Sequence, residues 1–333
     1  AGTVYVLFGG GVSGSLADAD LIVSGGTGYN YTGFGLAGGD LVGGSGNDIL
    51  IGAPGNDVGG ANTGTIWFVP GEVNPGEIEA ESLANYVTGQ AVNDGIGGAF
   101  DVLDVNGDGQ DDLVVGAGDS SEGGTNAGTV YVVYGPIAGA VSLADADLAF
   151  TGESAADKYG FSINTAGDSD GDGYDDFIAG APFDDEGSPD AGAAYVISGS
   201  LELASDTVDV VASLKLVGEA SSDQFGMDVT GGGNFGGADE EESFDYVVTA
   251  PLAGGSENYG SAYVFYGPLD GTVAASDADV RMDGDVLEDQ VGQNVTMAGE
   301  VDGSGHSFIV GANNKDTVGE DAGGAYLMLD IGL

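Results

Sequence analysis

The segment AGTVYVLFG at 1–9 returns along the whole chain, and a chain that repeats at this spacing must fold as a series of like units. The copies read TGTIWFVPG at 63–71, AGTVYVVYG at 127–135, AGAAYVISG at 191–199, YGSAYVFYG at 259–267 and GGAYLMLDIG at 323–332. A second element keeps the same period: LIGAP at 50–54, VVGAG at 114–118, IAGAP at 178–182, VTAP at 248–251 and IVGAN at 309–313. A third is an apolar residue before glycine, as in Phe34-Gly35, Ile96-Gly97, Tyr159-Gly160, Phe225-Gly226 and Val291-Gly292. A fourth reads SLADADLIVSG at 15–25 and SLADADLAFTG at 142–152, with a weaker copy at 275–284. Each period thus holds four short runs rich in β-branched and aromatic residues, bounded by turn formers and without helical periodicity.

Four strands per period make one twisted sheet, and sheets repeated radially make a propeller. The predicted fold is all-β, a single β-propeller of four-stranded blades over residues 1–333. Repeat units run at about 26–90, 91–152, 153–218, 219–284 and 285–333, and 1–25 is read as the end of a preceding repeat.

The sharpest chemistry lies between the first and second strands of two repeats. Asp104, Asn106, Asp108 and Asp112, like Asp168, Asp170, Asp172 and Asp176, place oxygen ligands at positions 1, 3, 5 and 9 of a loop with glycine at position 6. Calcium takes six to eight oxygens in flexible geometry, and the glycine lets the backbone turn around the ion. Position 7, Gln110 or Tyr174, would contribute its carbonyl, and Asp112 or Asp176 is expected to bind bidentately. An EF-hand is excluded because position 12 is Val115 or Ala179, inside a strand-like run. Weaker candidates are Asp40 and Asp48 in repeat one, Asp239, Glu241 and Asp245 in repeat four, and Glu300, Asp302, Ser304 and Ser307 in repeat five. Two calcium sites are expected, with up to three weaker ones. Zinc is disfavoured without cysteine and with one histidine, His306, which falls at loop position 7.

Charge narrows the partners. Fifty-five acidic residues against four basic ones leave −51, which excludes nucleic acid and disfavours an anionic membrane surface. Such a chain repels itself unless divalent cations or a salty medium screen it, so a marine, halophilic or calcium-rich setting is expected. With 42% apolar residues it still buries a core. The longest apolar run, 130–143, is interrupted by glycine and proline, so no membrane span is expected.

The order aromatic-Gly, Asp-x-Asp-Gly-Asp-Gly-x-Asp-Asp, Gly-Ala-Pro, then Gly-x-x-Tyr-Val resembles the FG-GAP repeat of integrin alpha-chain propellers and their bacterial or archaeal relatives. The resemblance implies blades with calcium between their first two strands and a role in adhesion or ligand binding. Integrin propellers are seven-bladed, whereas five full repeats and one extra N-terminal strand are visible here. A five-bladed ring, part of a seven-bladed ring in a longer chain, and strand exchange between molecules all stay open, the longer parent being favoured because the chain begins mid-repeat.

The expected function is a secreted, extracellular or cell-surface calcium-binding module for adhesion, binding or structure. It would engage a protein or glycan ligand on a surface, or other copies of itself. Rival readings are a subunit of a filament or surface layer and the accessory propeller of a carbohydrate-active enzyme. The chain itself is not expected to be an enzyme, since no acid or base stands outside the repeat pattern. Trp67, in the place of Tyr131 and Tyr195, is read as a packing residue.

Overall fold

The apolar runs form strands because their β-branched and aromatic side chains suit a pleated surface buried on both sides. The computed structural model describes residues 1–8, 15–26, 28–234, 244–255, 258–286, 288–301, 306–315 and 323–329. They pack as two compact units. The first holds Ala1–Val102, Gly109–Ala117 and Tyr131–Leu148, and the second holds Leu103–Asp108, Gly118–Val130 and Ala149–Leu333.

In the first unit, repeat one forms an antiparallel sheet from Leu36–Gly39, Asp48–Ala53, Thr65–Val69 and Tyr86–Thr88, in that order. Its third strand is buried throughout, and Trp67 lies 4.8 Å from Tyr86 by ring centroid, as expected of a packing residue. Thr3–Val6 and Leu21–Ser24 pair beside it, and Val4, Leu21 and Val23 join Ile51, Trp67 and Val69 in one core.

In the second unit, repeat three repeats the order with Ser162–Gly167, Asp176–Ala181, Ala193–Ile197 and Leu214–Val217. Repeat four has Val229–Gly233, Asp245–Ala250, Ser261–Phe265 and Val280–Asp283, and repeat five has Val291–Glu300, His306–Ala312 and Gly324–Met328. Leu214, Leu216, Phe225, Val248 and Phe265 share a core in which Phe225 stands edge-on to Tyr263 and Phe265. Truncating a fully buried leucine such as Leu216 to alanine costs about 2–5 kcal/mol. The fold is therefore mostly β, in several small sheets of the kind propeller blades use. Among the described residues no helix is long and apolar enough to cross a membrane.

Three features differ from the sequence reading. First, four of the sheet edges carry an additional parallel strand, so blades are not simply four-stranded. Gly76–Glu79 lies along Leu21–Ser24, Ala140–Ser142 along Tyr86–Thr88, Asp206–Thr207 beside Phe150 and Thr151, and Gly271–Ala274 along Leu214–Val217. Each comes from the connection between the third and fourth strands of the next repeat. It covers an edge that would otherwise expose unpaired backbone.

Second, the SLADAD element is not all strand. Its first residues form one-turn helices, Leu16–Asp18 and Leu143–Asp145, capped by Ser15 and Ser142. Its last aspartate ties back to the end of the third strand: Asp20, Asp147 and Asp279 accept from the N–H groups of Phe8, Tyr134 and Tyr266, each at 2.8 Å.

Third, the aromatic-Gly register of repeat one shifts by two residues. Gly160 and Phe161 both donate to Gly180 O, and Gly226 and Met227 both donate to Thr249 O. In repeat one the pair that donates together, to Gly52 O, is Gly33 and Phe34. Thr32-Gly33, not Phe34-Gly35, is thus the counterpart of Tyr159-Gly160. Thr32 is buried, whereas Phe34 is 70% exposed.

This register explains the invariant glycine of the AGTVYV element. Gly192, at φ +85, forms a bridge with Phe225, and a Cβ on it would lie 2.0 Å from Phe225 O. Gly64, Gly128 and Gly260 bridge Ile96, Tyr159 and Val291 in the same way. A side chain there would prise apart consecutive repeats.

Candidate metal centre

In the Asp168 loop the turn is built by the carboxylates themselves. The Asp172 N–H donates to Asp168 Oδ1 at 2.9 Å and Asp170 Oδ1 at 3.2 Å, Gly173 donates to Asp168 Oδ2 at 3.0 Å, and Tyr174 donates to Asp172 Oδ1 at 3.0 Å. Gly171 and Gly173 supply left-handed backbone at φ +76 and +94. The result brings one carboxylate oxygen each of Asp168, Asp170 and Asp172 within 4.8 Å of one another. Desolvation, then the charges of Asp170 and Asp168, push the Asp172 carboxyl above its ordinary range, while the Tyr174 N–H opposes this.

The second predicted loop is divided between the two units, Asp104–Asp108 in the second and Gly109–Asp112 in the first. In the second unit, Asp108 N–H donates to Asp104 Oδ1 at 3.1 Å and Asn106 Oδ1 at 2.9 Å, the same turn as at Asp172. In the first, Gln110 folds onto Gly109 O, and Asp112 Oδ1 accepts from Gly135 N–H at 2.9 Å.

Position 9 has a structural task in every repeat that retains it. Asp48, Asp112, Asp176 and Asp245 are all buried, and their Oδ1 atoms accept from Gly71, Gly135, Gly199 and Gly267 at 2.8–3.1 Å. Those glycines close the third-strand element, so this aspartate pins the second strand to the end of the third. Asp176 Oδ2 also accepts from the Ser169 N–H and hydroxyl, and burial pushes its carboxyl up to about 6. Asp48 keeps the equivalent bonds, to Leu41 and Val42, although repeat one has lost the inner ligands. In repeat five Ser307 takes this place, opposite Gly299 as Asp176 stands opposite Gly167, buried and with its hydroxyl unpartnered, so His306 falls at position 8 of a loop one residue shorter and not at position 7.

Position 8, passed over in the sequence, links neighbouring loops. Asp111 Oδ2 accepts from Asp40 N–H at 2.8 Å, and Asp175 Oδ2 accepts from Asp104 N–H at 3.0 Å. Each joins position 8 of one loop to position 1 of the loop before it; the doubled Asp-Asp was the available signal. Asp239, Glu241, Asp302, Ser304 and the Glu300 side chain lie outside the described residues. His306 accepts from Asn234 N–H through Nδ1.

A second carboxylate cluster escaped the sequence reading. Glu153, Asp157 and Asp184 also bring oxygens within 4.8 Å of one another, but here Lys215 pairs with two of them, Glu153 and Asp184. Its ammonium lies 2.7 Å from Glu153 and 3.4 Å from Asp184, contacts Glu186, and stands 4.9 Å from the centre of the Tyr195 ring. The Tyr195 hydroxyl donates to Asp184 at 2.8 Å and to Glu153 at 3.2 Å. Burial opposes the lysine charge, but Glu153, Glu186 and Asp184 outweigh it and raise its pKa. Burial first, then the charges of Asp184 and Glu153, push the Asp157 carboxyl up to about 7.

The arrangement recurs. Arg281 pairs with Glu219 and Asp283 over Tyr263, and Lys315 pairs with Asp285 and Asp289 over Tyr326. The remaining cation, Lys158, pairs with Asp119 at 2.9 Å. All four basic side chains of the chain are thereby engaged away from the Asp168 loop, whose three carboxylates gain no protein cation. Oxygen-only donors, clustered and uncompensated, fit a hard divalent ion.

The FG-GAP repeat matches residues 97–133 and 160–197. The chain carries FG-GAP repeats. It is distantly similar to integrin alpha-PS2 of Drosophila melanogaster, at 31% identity over 51% of this chain and 12% of that protein. It is also similar to integrin alpha pat-2 of Caenorhabditis briggsae, at 28% over 61% of this chain and 17% of that one. Phosphatidylinositol-glycan-specific phospholipase D of Dictyostelium discoideum matches at 32% over 54% of this chain and 20% of that protein. The chain therefore spans a fifth or less of the length of these relatives. The two matched FG-GAP stretches contain the two loops with the fullest ligand sets, Asp104–Asp112 and Asp168–Asp176.

Proposed function

We propose that this chain is a calcium-braced FG-GAP propeller that works outside the cell as a binding or adhesion module and is not itself an enzyme. The observation that carries the reading is the Asp168, Asp170 and Asp172 cluster, three carboxylates on a turn with no basic side chain to neutralise them. Calcium would supply the missing positive charge. The side chains of Asp168, Asp170 and Asp172, with the Tyr174 carbonyl and Asp176 completing the set, would hold it, and Asp104, Asn106 and Asp108 form the same turn in the preceding repeat. Because Asp175 ties its loop to Asp104, an ion in one loop would stiffen the next. The likeness to integrin alpha chains supports the adhesive role and the extracellular setting.

The likeness to a phospholipase D supports a second reading, in which these repeats accompany a catalytic domain elsewhere in a longer protein. Both readings share the metal loops. Thermal unfolding in EDTA and across a calcium titration, at fixed high ionic strength, tests them. Calcium at a hundred times its Kd should stabilise each site by about 2.7 kcal/mol, and D168A/D172A should lose the repeat-three share. An unchanged melting curve in calcium would reduce the loops to acidic turns.

A further inference from the structure

One turn breaks the repeat at the surface. Tyr29, Tyr31 and Phe34 are 84%, 55% and 70% exposed. In the register set by the Gly52 and Gly180 hydrogen bonds, repeat three has Ala156, Lys158 and Phe161 at these places, and repeat four has Ser222, Gln224 and Met227. Three aromatic rings on one turn are therefore a departure of repeat one alone. The place itself faces outward, since Phe161 is also 41% exposed, and what sets repeat one apart is that all three places carry rings.

The turn keeps the backbone of its counterparts, for Tyr31 has φ 56 where Lys158, Gln224 and Gln290 have φ 58, 58 and 51, so what repeat one changes is the side chains. Where repeat three has Phe183, with Lys158 over its ring, repeat one has Gly55. A Cβ at Gly55 would lie 2.1 Å from Tyr29 O and 3.0 Å from Tyr31 Cδ2, so the glycine is what seats the turn. Asn30, between the two tyrosines, donates to Glu81 Oε1 at 3.2 Å, and Gly26 N–H donates to the same oxygen at 2.7 Å. The platform is thus edged by an amide and a carboxylate held in place.

We infer that the Tyr29–Phe34 turn, with Asn30 and Glu81, is a stacking platform for a glycan that carries no acidic groups. Pyranose rings present flat C–H faces of slight positive charge, which pack on the negative faces of aromatic rings, while hydroxyls or amines reach the polar groups between them. Asn30 lies between the two tyrosines and Glu81 beside it, so polar groups interrupt the rings where a protein interface would have a continuous apolar centre. Charge selects within glycans, because a chain of −51 repels uronates and sulfates but accepts neutral or amino sugars.

The inference rests on the binding-module reading and can fail separately from it. Chitohexaose, cellohexaose, a chitosan hexamer, an alginate hexamer and poly-lysine would be titrated calorimetrically into the full chain with calcium and high salt, and calcium-dependent melting recorded on the same samples. Binding of at least one of the first three and none to alginate is expected. Y29A/F34A should weaken it about tenfold or more, the equivalent of one or two ring contacts, while melting as the parent does. F161A, the counterpart in repeat three, should leave binding unchanged. No binding to any of the three non-acidic glycans, equal loss in F161A, or binding to poly-lysine alone would overturn the platform while leaving the calcium result to stand or fall by itself.

Discussion

Repeat three contains two triads of carboxylates of nearly equal compactness, and they are neutralised in opposite ways. Asp168, Asp170 and Asp172 sit on a partly exposed loop and have only solution ions to draw on. Glu153, Asp157 and Asp184 sit largely buried beside Tyr195, and Glu153 and Asp184 hold Lys215. Burial is what separates the two. Ions cannot be recruited cheaply into a dry site, so a fixed cation is retained where desolvation is severe, whereas an exposed triad can exchange with the medium. In a chain with four basic residues, three spent on such boxes are a strong statement of where charge must be fixed.

The largest expected effect tests the buried side. K215M leaves Glu153 and Asp184 charged and unpaired and should destabilise the protein by about 3–5 kcal/mol in urea unfolding. Calcium should not restore it, and E153Q added to K215M should recover part of the loss; full rescue by calcium would mean that the two triads are interchangeable. Next comes the exposed side, where D168A/D172A should lower the calcium-dependent gain by about 2.7 kcal/mol at a hundredfold excess over Kd. In EDTA the same variant should match the parent or melt slightly higher, because like-charge repulsion has been removed.

Repeat two sharpens the contrast. Gln90 occupies the place of Glu153, bonded to the Tyr131 hydroxyl at 2.8 Å, and Ala149 occupies that of Lys215, so acid and base are absent together. Restoring the acid alone in Q90E should cost about 1–3 kcal/mol, read as a lower midpoint in urea. A neutral result would show that Lys215 is dispensable to its box. The smallest effect is in pH. Asp157 holds its proton up to about 7 when folded, but loses it near the ordinary aspartate value when unfolded. Between those values the folded state binds more protons, so this group's contribution makes stability fall as pH rises through the window, then level off. D157N should flatten that part of the profile, and an unchanged slope would remove Asp157 as its source.

Much of the loop geometry is legible from residue order. Ligand types at positions 1, 3 and 5 and the intervening glycines dictate a local turn, and local turns need no distant partner to form. Position 9 was read as a ligand for the same reason, yet its bond to a glycine 22 or 23 residues further on was hidden. Ser307 shows why. A hydroxyl can occupy that buried place, so residue type alone does not reveal the task.

By itself, the sequence determined the repeat, the strand content and the turns of the Asp104 and Asp168 loops. These follow from hydrophobic pattern and glycine conformation, which act over a few residues. Only the tertiary structure decided that Thr32 rather than Phe34 faces the preceding strand, that connectors add parallel strands to the sheet edges, and that Lys215 closes a carboxylate box from 62 residues away. Those outcomes depend on which backbone groups of neighbouring repeats come within hydrogen-bond reach, and that distance is a property of packing.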